Sequence, residues 1–160
     1  VGKKVKLKTF AAIIEALPDK LTEATINGAR MAAARLVVLV EHEIRNASPF
    51  PLVDRGRLVQ QTQLTLTPNG AIVRNDAPHA APLEYGARPF TPPRQVLLEW
   101  AKRKGFENPE AASWAIWQKF RKEGMPPRRF FAKALAKWRA GDELPKAVKK
   151  ALKQLPSGTP

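Results

Sequence analysis

Pro51-Leu52-Val53-Asp54-Arg55-Gly56-Arg57-Leu58, the alternating run Val59-Gln60-Gln61-Thr62-Gln63-Leu64-Thr65-Leu66-Thr67 and the turn signal Pro68-Asn69-Gly70 decide the fold class of this chain. Alternation puts Leu58, Gln60, Thr62, Leu64 and Leu66 on one side of an extended segment and Val59, Gln61, Gln63, Thr65 and Thr67 on the other. Asn-Gly after proline favours a tight reversal, and Ala71-Ile72-Val73-Arg74-Asn75 reads as the returning strand. A two-stranded hairpin cannot stand alone in water. It is expected to lean on a helix, with Leu58, Leu64 and Leu66 as anchors and Gly56 and Gly86 shaping the turns on either side.

The helix stands upstream. Leu21, Thr25, Ala29, Ala33, Leu36, Val40 and Ile44 recur at three- and four-residue spacing, which predicts a long amphipathic helix over Asp19 to Asn46. Asp19 is its expected N-cap, Ser48-Pro49-Phe50-Pro51 ends it, and alanines at 29, 32, 33 and 34 permit close approach of a neighbour. A shorter helix is expected over Phe10 to Leu17, stopped or bent by Pro18. Downstream, three punctuated helices are expected: Thr91 capping a helix that begins at Pro92 and ends at Gly105, Asn108 capping one from Pro109 to Gly124, and a third from Pro127 to Gly141. Trp100, Trp114, Trp117, Phe120, Phe130, Phe131 and Trp138 on these helices read as core. Leu144, Val148, Leu152 and Leu155 give a further basic segment its helical spacing. The reading is an α+β fold: a long N-terminal helix on a small antiparallel hairpin, then two to four shorter helices. Residues 1–8 form a basic arm, 9–140 a single domain, and 141–160 a basic, partly flexible extension ending in the frayed Pro156-Ser157-Gly158-Thr159-Pro160.

Charge is unevenly placed. The chain of 160 residues carries +14, from 28 Lys and Arg against 14 Asp and Glu. Residues 1–8 hold Lys3, Lys4, Lys6 and Lys8, and residues 119–160 hold 12 basic residues against Glu123, Asp142 and Glu143. The segment between them is almost neutral, so the two ends suit a polyanion or an acidic surface. No cysteine is present, which removes disulfides, thiolate metal sites and cysteine nucleophiles. No apolar run approaches the roughly 20 residues that span a bilayer, so no membrane contact is expected, and no signal peptide is read at the start.

Candidate chemistry is sparse. His42 lies in Glu41-His42-Glu43, where successive helical residues point about 100° apart and cannot share a metal; it reads as a surface residue, and His79 as structural. Asp54, Asp76 and Glu84 could converge at the ends of the hairpin, but Arg55, Arg57, Arg74 and Arg88 are as near in sequence, and ion pairing is the simpler use. Gly86, Gly105, Gly124 and Gly141 are isolated glycines suited to turns and helix stops rather than to a phosphate loop. No catalytic, cofactor or metal residue is assigned. Lys119, Arg121, Lys122, Arg128, Arg129, Lys133, Lys137 and Arg139 interleave with Phe120, Phe130, Phe131 and Trp138, a pattern that fits phosphate contacts with stacking and equally a core helix with a basic outer face.

The order of these motifs resembles the neck, or tail-completion, proteins of long-tailed bacteriophages, the group that includes lambdoid minor tail components. The resemblance rests on Pro51 through Leu58, on Ala80-Ala81-Pro82-Leu83-Glu84-Tyr85-Gly86, on Pro92-Pro93, on Leu97-Leu98-Glu99-Trp100-Ala101, and on Gly124-Met125-Pro126-Pro127-Arg128-Arg129-Phe130-Phe131. It covers most of residues 19–140. Departures are one extra residue between Pro51 and Asp54, Arg55 where threonine is common, Gln60 or Gln61 where serine is common, and His79 for tyrosine. The resemblance implies a structural virion protein, not an enzyme, assembled in the bacterial host cytoplasm and placed at the head–tail junction. It implies a ring of copies, six by analogy with tail symmetry, stacked on a head-completion or connector protein and a tail-terminator or tail-tube protein. Subunit contacts are then expected at Asp54, Arg55, Arg57, Glu84, Tyr85 and Arg88. Packaged DNA or an acidic partner is expected at Lys3, Lys4, Lys6, Lys8, Arg128, Arg129, Lys146, Lys149 and Lys150. The alternative is a small nonspecific DNA-binding protein using the cationic termini.

Overall fold

The computed structural model describes residues 7–48 and 52–154, with side chains for residue 19 and from residue 21 onward. Helix α1 spans Leu7–Arg45 and is followed by the short α2, Arg57–Gln60. Strands β1, Thr62–Thr67, and β2, Gly70–Asn75, form a two-stranded antiparallel sheet in which Thr62 faces Asn75 and Thr67 faces Gly70. The helices α3, Ala80–Tyr85; α4, Arg94–Arg103; α5, Pro109–Glu123; α6, Phe130–Ala140; and α7, Glu143–Lys153 complete the chain. The α+β class, the long first helix, the hairpin and the shorter C-terminal helices stand as the sequence predicts.

The first helix departs from its expected bounds. It runs unbroken through Pro18 and takes in Leu7 and Lys8 of the expected basic arm, so Asp19 lies inside the helix and is not its N-cap. Proline removes one amide donor, and the hydrogen bonds on either side carry the helix across the gap. At 39 residues α1 is about 58 Å long. Val1 to Lys6, Pro49 to Pro51 and Leu155 to Pro160 lie outside the described residues, and with them Lys3, Lys4, Lys6 and the expected terminal tail.

Two halves of α1 bury different things. Leu36, Val40 and Ile44 meet Leu58 of α2, Ala77, Ala80 of α3, and Phe130 and Ala134 of α6 in the main core. Val73, Leu83, Leu135 and Trp138 pack against it. Burying a side chain such as Phe130 contributes about 1.5–3 kcal/mol. The indole of Trp138 donates to the carbonyl of Ala32 at 2.7 Å, so the ring is oriented as well as packed. Toward the N-terminus the buried face is Ala24, Gly28 and Ala32 rather than the expected Leu21, Thr25, Ala29 and Ala33; Leu21 and Thr25 are exposed. The reason is α7, which lies along this half of α1 and approaches so closely that only small residues fit. A β-carbon on Gly28 would sit 2.6 Å from the Cα of Val148. Within the expected extension of residues 141–160, the part from Glu143 to Lys153 is thus a helix laid on the body of the protein.

The hairpin also differs in detail. Leu58 is buried, but in α2 and not in a strand, while Leu64 and Leu66 remain exposed. Strand alternation puts them on the same face as Ala71 and Val73. Helix α1 lies closer to β2 than to β1, so Val73 reaches the core and the two leucines overhang it. Arg30 of α1 clasps the turn, donating from Nη2 to the carbonyl of Thr67 at 2.8 Å and from Nε to that of Gly70.

Helices α4 and α5 pack on each other as a second layer. Asn108 caps α5 as expected, its side-chain oxygen accepting from the Ala111 amide at 2.9 Å, and Gly124 ends it. Helix α4 begins at Arg94 after Pro93, so Thr91 is not its cap. Helix α6 begins at Phe130, not Pro127, because Arg129 adopts left-handed backbone at φ 52 and breaks the helical path before it.

Candidate interaction surfaces

The lead-in segment 52–56 ties down the α4–α5 layer through Asp54, one of the residues expected at a subunit contact. Asp54 accepts two hydrogen bonds from Arg103, at 3.0 Å from Nε and 2.8 Å from Nη2, a fork-on-carboxylate geometry that fixes orientation. That hydrogen bond with Arg103, set against partial burial and aided by the charges of Arg103, Lys104 and Arg55, holds the Asp54 carboxyl below its ordinary range. Lys104 adds a bond from Nζ to the Val53 carbonyl at 2.7 Å. Arg55 and Arg57 stay exposed beside this clamp.

The Glu84-Tyr85-Gly86 segment makes the second tie. Glu84 is buried and accepts from the backbone amides of Phe131 and Ala132 at 2.8 and 2.9 Å. It caps the start of α6, where orphan amides and the helix dipole both favour a carboxylate. Glu84, expected at a subunit contact, is thus buried in the chain with an amide on each of its carboxylate oxygens. Beyond it, Ala87 and Met125 exchange backbone hydrogen bonds at 2.9 Å each, and the Arg128 amide donates to the Leu83 carbonyl at 2.7 Å. Two glycines make the crossing passable. A β-carbon on Gly124 would lie 2.1 Å from the Ala87 carbonyl oxygen, and one on Gly86 would lie 2.8 Å from that of Met125.

Tyr85 projects outward from this crossing, 81% exposed. With Arg88, Lys119, Glu123, Met125 and Pro127 it borders an open depression of about 600 Å³. Asp54, Asp76 and Glu84 do not converge. Asp76 pairs with Arg74 at 3.0 Å, Asp54 with Arg103, and Glu84 with the amides of α6. The Arg74 pairing was legible from sequence; the partner of Asp54 was not, because it comes from a residue 49 positions away.

The aromatic residues divide. Phe130 is core, while Trp114 is exposed and stacks on Trp117 with ring centres 5.1 Å apart. Arg94 lies over Trp114 at 4.6 Å and Arg121 over Trp117 at 5.4 Å, so both indoles carry a guanidinium. The Trp117 ring nitrogen donates to the Pro92 carbonyl at 3.1 Å, and Phe90 stacks on Phe120.

The cations on α7 are the most regular. Lys146, Lys149, Lys150 and Lys153 are all exposed and follow the spacing of one helix face, while Val148 and Ala151 face α1. Lys137 of α6 is engaged by Glu43. Burial pushes the Glu43 carboxyl up, but Lys137, with help from His42, outweighs it and leaves the group below its ordinary value. His42 and His79 are exposed. Among the described residues no group of three or more His, Asp or Glu is placed to hold a metal, and no helix is long and apolar enough to cross a membrane. Comparison with known protein families, with characterised proteins and with solved structures finds no match.

Proposed function

We propose that the protein is a structural component of a bacteriophage neck, assembling side by side into a ring that joins or completes the tail at the DNA-filled head. The observation that carries this reading is that the spaced motifs underlying the resemblance meet one another. Glu84 of the Glu-Tyr-Gly motif holds the amides that open α6 at Phe130-Phe131, Gly86 and Gly124 cross, and Asp54 of the lead-in motif clamps the α4 helix that carries Leu97 and Trp100. Motifs linked in this way act as one architectural unit, which supports treating their order as a family trait rather than chance. Function then lies in surfaces, not in a reaction. Tyr85, Arg88, Arg55 and Arg57 are the exposed residues around that unit, and head-to-tail contacts between such patches generate closed rings.

Mass spectrometry of purified particles, with negative-stain imaging of the purified protein mixed with neck components, tests the proposal. Presence of the chain in the particle and ring-shaped assemblies are the expected results; its absence from finished particles rules the reading out.

One observation favours DNA as an additional partner: the four lysines on the outer face of α7. A duplex lying along that face would release counterions. Affinity for duplex DNA falling steeply with salt, and less steeply after Lys149→Glu with Lys150→Glu, is the expected signature; tight DNA binding by a protein missing from the particle would instead support the small DNA-binding protein.

A further inference from the structure

Between Arg57 and Arg74 the chain has no charged residue, the longest such run in a sequence where 26% of residues are charged. The run contains β1 and most of β2. Thr67 and Gly70 face each other across the two-residue turn, so the pairs Thr65–Ile72 and Gln63–Arg74 bond inward in the same phase. Thr62, Leu64 and Leu66 therefore turn their amide and carbonyl groups to the outer edge of β1. No described group outside the hairpin bonds to the backbone of Leu64 or Leu66. Natural edge strands are ordinarily protected by lysine, proline or a bulge; β1 has none of these. Beside the bare edge sit the two overhanging leucines, 37% and 59% exposed, with Ile72 55% exposed on the opposite face.

We infer that the outer edge of β1 pairs with β1 of a second copy of this chain, antiparallel, to give a four-stranded sheet across a two-fold axis. Charge selects the occupant. A molecule of net charge +14 repels its own copies wherever their cationic surfaces meet, and this edge brings no charge from either side. It also offers nothing to attract an acidic partner or DNA. Shape selects the register. With Leu64 opposite its own counterpart, Thr62 faces Leu66 and Leu66 faces Thr62, so the outward amide and carbonyl of each Leu64 find partners at the axis and Pro68 stays beyond the pairing. The overhanging leucines of the two copies then cover each other on the face shared with α1. A two-stranded sheet that is marginal alone becomes four-stranded. Such a contact is isologous and closes at two copies, so it differs from a head-to-tail ring contact and does not depend on the ring reading. It shields the edge of the free protein before any larger assembly forms.

The absence of cysteine makes the test direct. Leu64→Cys places one thiol per chain on the two-fold axis, where Cα atoms of a hydrogen-bonded pair lie about 5.5 Å apart, a span a disulfide bridges. Under mild oxidation of the full chain, a covalent dimer is expected from Leu64→Cys and not from Gln118→Cys on the exposed face of α5. Sedimentation of the unmodified chain is expected to show twice 17.8 kDa with rising concentration, and Leu66→Lys, a change at an exposed position, is expected to give a folded monomer. A chain that stays monomeric throughout, equal cross-linking of the two cysteine variants, or a dimer untouched by Leu66→Lys overturns the inference. Capture of a different protein's strand in place of a second copy would overturn it as well.

Discussion

Glu84 accepts a hydrogen bond from the backbone amide of Phe131 at 2.8 Å across 47 residues of chain. Its second oxygen takes the amide of Ala132 at 2.9 Å. One buried carboxylate thus closes the loop that contains α4 and α5 and starts the helix that delivers Phe130 to the core. The order of events along the chain explains why both ends of this loop are specified so tightly. If α6 began one turn earlier, as its proline suggests from sequence, the amides of Phe131 and Ala132 would bond the carbonyls of Pro127 and Arg128 within the helix, and Glu84 would lose both donors.

Replacing Glu84 with alanine removes both acceptors and leaves the amides of Phe131 and Ala132 without their carboxylate partner. Charge-assisted bonds of this kind contribute about 1.5–3 kcal/mol, so Glu84→Ala is expected to lower unfolding stability by about 2 kcal/mol in urea titration. Glu84→Gln keeps one acceptor and is expected to lose roughly half as much. Equal stability of both variants and the parent would show that the cap contributes nothing.

The crossing of Gly86 and Gly124 gives a second comparison. Gly105 and Gly124 both have positive φ, 73 and 79, and Gly124, with ψ −163, lies in a backbone region that glycine alone occupies readily. A methyl at Gly105 meets nothing within 4 Å, whereas at Gly124 it meets the Ala87 oxygen at 2.1 Å. Gly124→Ala is therefore expected to lose clearly more stability than Gly105→Ala, with amide exchange rising at Ala87 and Met125. Similar losses at the two positions would contradict the close crossing.

How much of this was legible in the sequence depends on how far apart the deciding residues are. The cap of α5 is readable because Asn108 and Ala111 are three residues apart. The hairpin is readable because its turn and both strands are contiguous. The anchoring of Leu64 and Leu66 is not, since alternation assigns a face but not how far α1 extends beneath it. The capping role of Glu84 is hidden for a related reason: nothing near it in sequence shows that amides 47 residues away will be waiting. Periodicity also mis-sets the N-terminal half of α1, because alanines at several positions satisfy more than one stripe and only α7 chooses between them.

That choice is itself testable. In an exposed helix Gly→Ala stabilises by about 1 kcal/mol. At Gly28 the added methyl would meet Val148 at 2.6 Å from its Cα and 2.8 Å from its Cγ2. Gly28→Ala is expected to reverse the usual sign, loosening α7 so that its amides exchange faster while those of α6 hold. A stabilised Gly28→Ala protein with unchanged α7 protection would refute the packing.

Acid should release the α4–α5 layer at its lead-in clamp. Asp54 is held below its ordinary carboxyl value by the Arg103 hydrogen bond; burial raises Glu43, but Lys137 outweighs it and leaves that carboxyl lowered too. A carboxyl whose folded value is depressed contributes stability that is fully present above the unfolded value, about 3.9 for Asp and 4.3 for Glu. That contribution declines as pH drops below the unfolded value and is gone once pH has passed the lower folded value. Amide exchange around residues 103–106, corrected for its intrinsic pH dependence, is therefore expected to rise as pH falls below about 4. Asp54→Asn is expected to show the loosened layer already at neutral pH and to lose the acid response there, while the response at Glu43 and Lys137 remains. Salt should mimic mild acid at the Asp54 clamp, since its side chains are a third exposed and open to screening. Protection at residues 103–106 that stays constant through the acid range, or an acid response that survives Asp54→Asn, would remove Asp54 as the group that clamps the layer.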